Sequence, residues 1–182
     1  MATRPLNPTA ASLLGFLQDG PRTGWDLVVA AQTMIGSFWS LTQSQVYREL
    51  TAMARDGLVV AGERGRRDRQ PYALTDAGRA AFATWLERAP GPENIRFPLL
   101  LTVAFGRHLP PDRLAAFLAQ HRAEHAVRLE QYETQYAAAS QAPAECSPYA
   151  LATLQFGLAY ERAVLAWFAD LPLTMTGPSE VR

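Results

Sequence analysis

Two short stretches of this chain hold side chains whose types and spacing could do chemistry. In His121-Arg122-Ala123-Glu124-His125, two histidines lie four residues apart with a glutamate between them. This is the H-x-x-E-H order in which two imidazoles on one helix face bind zinc and the glutamate serves as a base. In ERGRRDRQPYALT, from Glu63 to Thr75, Arg64, Arg66, Arg67 and Arg69 crowd into six residues of a chain whose formal net charge is +0. Such a cluster is either a solvated loop or a basic finger aimed at a polyanion such as DNA, and its neighbours must decide. The sequence contains no Lys, so any phosphate contact is of the forked guanidinium kind.

Composition narrows the choice. With 182 residues, 48% apolar and 19% charged, the chain has the make-up of a soluble globular protein of one large or two small domains. No charged and apolar leader pair opens it, and the most apolar C-terminal segment is interrupted by Glu161 and Arg162, so the expectation is a cytoplasmic protein without a membrane span. A single cysteine, Cys146, leaves no intramolecular disulfide and no cysteine-based zinc site. No glycine loop suited to phosphate and no Ser/His/Asp arrangement is readable, which makes an enzyme the minority reading; no cofactor is expected.

The elements that must position these stretches are punctuated clearly. Asn7-Pro8 reads as a cap and first turn, with Ala10, Leu13, Leu14 and Leu17 at helical spacing before Gly20-Pro21. Thr23 with Asp26 opens a second helix ending near Gly36, and Thr42 with Gln45 opens a third that Gly57 stops. The period then changes. Leu58 to Ala61 and Tyr72 to Leu74 read as two strands joined through the arginine-rich tip, with Pro71 placing the second on an edge. Thr75 caps a fourth helix carrying Ala77, Phe82, Trp85 and Leu86, and Pro90-Gly91-Pro92 is a natural linker. Beyond it the chain reads as helical over 98–107, 112–139 and 148–171, although Leu99 to Val103 alone could equally be a buried strand.

The fold expected is therefore mainly α with a two-stranded β wing. Residues 1–90 form a winged helix-turn-helix DNA-binding domain, 95–172 an all-helical dimerisation domain, and 173–182 a disordered tail.

The third helix faces two ways. At about 100° per residue Val46, Leu50 and Met53 share one side. The other carries Ser44, Arg48, Thr51 and Arg55, flanked by Thr42, Gln45 and Tyr47, groups that reach phosphates and base edges in a major groove. A polar face is common on surface helices, but third place before a basic wing is where a winged helix puts its recognition element. The wing arginines would then reach the adjacent minor groove or its phosphates.

LLGFLQDGPRTGWDL (Leu13 to Leu27), LTQSQVYRELTAMARDGLV (Leu41 to Val59) and RQPYALTDAGRAAFATWL (Arg69 to Leu86) resemble the phenolic-acid-decarboxylase regulator (PadR) family of bacterial transcription factors. They match its first helix and turn, its recognition helix, and its wing exit with the Leu-Thr-x-x-Gly helix start; Trp25 stands where tyrosine is usual. The resemblance implies a homodimer that represses transcription at a palindromic operator in double-stranded DNA and releases it on binding an effector.

In the second half, the segment Tyr149 to Leu171 is apolar almost all round, which a small domain can hardly bury alone, so a partner copy is the economical explanation. Leu151, Leu154, Leu158, Leu165, Trp167 and Phe168 are the expected dimer contacts. A small aromatic or hydrophobic effector would be lined by Trp39, Phe97, Phe105, Phe156, Tyr160 and Trp167, each otherwise plain core. His121 and His125 fall on the apolar stripe with Leu114, Leu118, Leu129 and Tyr132, which favours interface or pocket residues over zinc ligands.

Overall fold

The computed structural model describes residues 5–36, 38–65, 69–93, 95–141, 147–172 and 175. Arg66, Arg67, Cys146 and most of the expected tail lie outside the described residues. The chain divides into two compact units, residues 1–92 and 93–182.

The first unit contains α1 (Pro8–Phe16), β1 (Arg22–Thr23), α2 (Gly24–Met34), α3 (Gln43–Arg55), β2 (Val59–Ala61), β3 (Pro71–Leu74) and α4 (Asp76–Leu86). Local capping starts each helix. Asn7 accepts from the Ala10 N–H, Thr23 from Asp26, Thr42 from Gln45 and Thr75 from Gly78. The boxes at α2 and α3 are reciprocal, so two otherwise orphaned amides are satisfied at each start. At the end of α3 the Leu58 N–H donates to Met53 O at 2.9 Å and Gly57 N–H to Ala54 O at 3.2 Å. Gly57 makes that turn with φ +73°, the left-handed region that glycine enters at little cost.

Leu13, Leu14, Leu17, Leu27, Val46, Leu50 and Met53 form a closed core between α1, α2 and α3. The expected stripe of α4 is only partly inside: Phe82 packs on this core, whereas Ala77 and Leu86 are exposed, because the helix meets α1 along a narrow line.

The sheet corrects two expectations. It is three-stranded, in the order β1-β3-β2, with Arg22 opposite Tyr72 and Val59 opposite Leu74, all pairs antiparallel. The wing hairpin thus gains a third strand from the turn before α2. Pro71 therefore lies on the central strand, not on an edge. It is tolerated because it is that strand's first residue, where a missing N–H removes little of the ladder, and its carbonyl still accepts from Gly62 at 2.8 Å.

The second unit contains α5 (Pro98–Ala104), a 3-10 turn at Gly106–His108, α6 (Pro111–Gln141) and α7 (Pro148–Ala169). Leu99 to Val103 are thus helical. The long helices α6 and α7 pack closely where Gly157 meets Tyr132: a Cβ there would sit 3.0 Å from the ring. Leu114, Leu118 and Phe168 make a small core with Leu99, Val103, Val164 and Trp167 around it. Among the described residues, no helix is long and apolar enough to cross a membrane.

Candidate nucleic-acid interface

In the first unit α3 buries Val46, Leu50 and Met53 and turns Ser44, Tyr47, Arg48, Thr51 and Arg55 outward. Several of these side chains are already engaged. Thr42 and Gln45 hold the capping box: the Gln45 carbonyl oxygen accepts from the Thr42 N–H at 2.8 Å, so only the amide NH₂ of Gln45 takes no part in it. Ser44 Oγ lies 3.1 Å from Thr42 Oγ1, and the Thr51 hydroxyl donates back to Tyr47 O at 2.9 Å. Arg55 Nε pairs with Asp56 at 3.2 Å. Arg48 is the least committed, its side chain 70% exposed and 4.0 Å from Glu49.

Glu49 itself is buried at 5% exposure. The sequence reading passed over it, although positions 46, 49, 50 and 53 form one stripe at helical spacing. Tyr47 is half-exposed and seated on α2: a Cβ at Gly24 would lie 2.6 Å from its ring, so only glycine lets the ring lie there.

The wing continues past the strands. Gly65 N–H donates to Arg69 O at 2.9 Å and the Gln70 amide to Gly62 O at 3.2 Å. Arg64 and Arg69 are exposed on this ribbon. Asp26, at the start of α2, is held below its ordinary value chiefly by the Thr23 hydroxyl and then the Thr23 N–H; burial opposes them, and Arg69 and Arg22 add smaller attractions. Arg69 at the wing base thus adds a minor attraction to the start of α2.

The second unit holds a pocket of about 410 Å³. Of the expected effector residues it gathers Phe97, His121, His125, Tyr160 and Trp167; Phe168, which like Trp167 was expected at a dimer contact, lines it too. Trp39, Phe105 and Phe156 do not. Trp39 belongs to the first unit, and Phe105 and Phe156 are 59% and 64% exposed. Leu158 and Phe168 are buried at 6% and 5% by their own chain, which corrects their assignment to a partner contact. An all-round apolar helix does not reveal which side its own subunit covers.

Behind the pocket wall, Glu161 is 3% exposed and accepts from Arg128 Nε at 3.1 Å. His125 Nδ1 lies 2.5 Å from the other Glu161 oxygen and 2.9 Å from Arg128 Nη2. One proton lies between Nδ1 and that oxygen, and Arg128 Nη2, which can only donate, shares the same nitrogen. His121 stands apart, 3.9 Å from Glu124, and among the described residues no three His, Cys, Asp or Glu side chains converge as a metal cluster.

Three helices, a sheet with a projecting ribbon and a polar outer face on the third helix define a winged helix-turn-helix domain. Residues 13–84 match the model of the transcriptional regulator PadR-like family and residues 95–171 that of the virulence activator alpha C-terminal domain. The chain therefore carries a PadR-like domain followed by a C-terminal domain of this virulence-activator type. It is 30% identical over 98 residues to the negative transcriptional regulator PadR of Bacillus subtilis, covering 52% of this chain and 54% of that one. A probable transcriptional regulator of Mycobacterium tuberculosis is 33% identical over 84 residues, 44% of each chain. The chain thus spans about half the length of the curated relatives it matches.

Solved structures share the whole architecture. Bacillus subtilis PadR bound to operator DNA superposes with a TM-score of 0.73 at 23% identity, covering 90% of this chain and 96% of that one; the same protein has also been solved with p-coumaric acid. The Vibrio cholerae virulence activator AphA gives 0.70 at 24% identity over 92% and 95%.

Proposed function

We propose that this chain is a sequence-specific DNA-binding transcriptional regulator, acting as a homodimer on a palindromic operator in double-stranded DNA. The single observation that carries the reading is α3: a helix locked at its start by a reciprocal capping box, buried on one stripe and polar on the other, third in order before an arginine-bearing wing. The relative whose structure holds operator DNA supports it. Arg48 is the base or phosphate reader on α3, helped by Ser44, the Gln45 amide and Tyr47. Arg64, Arg66, Arg67 and Arg69 supply phosphate contacts from the wing. The acidic residues Glu124, Glu130 and Glu133 of α6 offset this charge in sum without weakening the local potential.

The dimer forms through the outward face of α7, where Tyr149 and Phe156 stand 84% and 64% exposed beside half-buried Leu151 and Leu154. The regulator is a repressor, and a small aromatic molecule in the C-terminal pocket relieves it, as the relative solved with p-coumaric acid suggests by analogy. Its place of action is the cytoplasm, where the DNA is, and it catalyses no reaction.

Selection from random duplex DNA at fixed salt tests the reading. A palindrome should be enriched. Arg48→Ala should relax preference at particular base pairs, and replacement of the four wing arginines by alanine should weaken binding uniformly and flatten the salt dependence. Folded protein that enriches no sequence would sink the proposal.

A further inference from the structure

The walls of the C-terminal pocket state what it can hold. Four of its lining side chains are aromatic: Phe97, Tyr160, Trp167 and Phe168. The Phe97 and Tyr160 rings lie nearly parallel, 12° apart in tilt with centroids 6.4 Å apart, and the Trp167 and Phe168 rings meet at 4.8 Å. Ring faces and aliphatic side chains favour a flat guest, and about 410 Å³ is at the small end of ligand pockets, room for one or two rings.

Charge selects further. Among the described lining residues there is no arginine and no carboxylate; the polar groups are His121, His125 and the Tyr160 hydroxyl. Arg128 is committed to Glu161 and His125 and does not line the pocket. His121 is the remaining cation candidate, and it is 41% exposed and faces Glu124 at 3.9 Å. A carboxylate entering such a site would lose its water and find no committed partner, a heavy cost in apolar surroundings.

What remains is hydrogen bonding. His125 Nδ1 is engaged by Glu161 and Arg128, so whatever this ring offers a guest it offers through Nε2. Burial, and then the Glu161 carboxylate, hold the Tyr160 hydroxyl above its ordinary value against the opposing pull of Arg128, keeping it a neutral phenol.

We infer that the C-terminal pocket takes an uncharged planar aromatic molecule of one or two rings bearing a hydrogen-bonding group, and discriminates against the carboxylate analogue of the same molecule. Relief of repression by that molecule rests on the regulator reading above; the binding itself does not.

The test is calorimetric titration of the full chain at pH 7.5 with methyl p-coumarate and with p-coumaric acid, which share a ring and a phenol and differ in charge. The ester should bind at least about tenfold tighter than the acid. Ala163→Phe, which fills the pocket from its wall, should abolish ester binding while the circular dichroism spectrum is retained; if that variant does not fold, Ala163→Leu should weaken the ester in the same sense. The inference is overturned if the acid binds as tightly as the ester, if neither binds to folded protein, or if the filled variant still binds. The DNA selection runs on the same preparation without ligand. Ester binding without operator enrichment would reject the regulator and keep this pocket, and the reverse would reject the pocket alone.

Discussion

The two units of this chain solve the problem of burial in opposite ways. Among the described residues, fourteen apolar side chains are buried in 1–92 and only four, Leu114, Leu118, Leu158 and Phe168, in 93–182. The first unit closes its core and turns most polar side chains of α3 and the wing outside, Glu49 being the buried exception. The second leaves Tyr149 and Phe156 outside and takes Glu161 inside. A unit with a closed core can present a rigid reading face by itself. One with an open apolar face and a pocket leaves apolar surface to be covered, under the reading proposed above by a second copy or a small molecule, and that is a sensible place for control.

The largest expected effect breaks this contrast at the dimer. Because Tyr149 and Phe156 are exposed within a single chain, changing both to Glu should leave the chain folded yet monomeric. Losing the linked second half-site should lower operator affinity on the order of 10²- to 10⁴-fold. Sedimentation and DNA binding read the two consequences together. A dimer of unchanged mass would move the interface elsewhere. Leu158→Glu is the wrong probe, since Leu158 is buried by its own subunit and its replacement would unfold the domain first.

A smaller effect concerns the charge kept inside. Arg128→Met leaves the Glu161 carboxylate buried with only His125, which should cost about 3–5 kcal/mol in denaturant unfolding. Glu161→Gln leaves a guanidinium whose side chain is 39% exposed and can turn to water, so about 1–2 kcal/mol is expected. The order matters more than the values. Equal costs would mean that the cluster is not organised around its acid.

The first unit has its counterpart at Gly24. Gly24→Ala places a methyl into the Tyr47 ring, and the ring must leave its seat on α2, an overpacking cost of about 1–3 kcal/mol if the helices move instead. The expected result is a nearly unchanged melting temperature with weaker operator binding, as the exposed ring yields before the core does. Equal losses of operator affinity in Gly24→Ala, Tyr47→Ser and the double variant would show that the ring's position, and not helix packing, is what Gly24 protects.

How much of this could be read from residues alone depended on range. Thr23, Thr42 and Thr75 announced their helices correctly because capping is settled within four residues. β1 went unread because it is two residues long and exists only through pairing with Pro71 and Tyr72, far along the chain. That same pairing moved Pro71 to the centre of the sheet. In α7 the composition reported burial on many sides but not by whom: Leu158 serves its own core, whereas Phe156 two residues earlier is exposed. The two buried glutamates were legible in principle. Glu49 shares a stripe with Val46, Leu50 and Met53, and Glu161 follows Leu154 and Leu158 at helical spacing, each a carboxylate where an apolar side chain is due.

The finest test of the contrast is the link between the wing and α2. Asp26 is held below its ordinary value of 3.8, chiefly by the Thr23 hydroxyl and N–H and then by Arg69 and Arg22. A lowered carboxylate contributes stability that is fully present above its unfolded value and is lost as pH falls through its folded value. The first unit should therefore lose stability below about pH 4, and the difference between the native chain and Asp26→Asn, present at pH 7, should vanish in that window. Because Asp26 is exposed, the effect is small and screened, so it should shrink with added salt. Arg69→Ala should shrink it further at low salt. If Arg69→Ala left the acid profile unchanged, the wing base would not be held electrostatically on α2, and its arginine would be committed wholly to DNA.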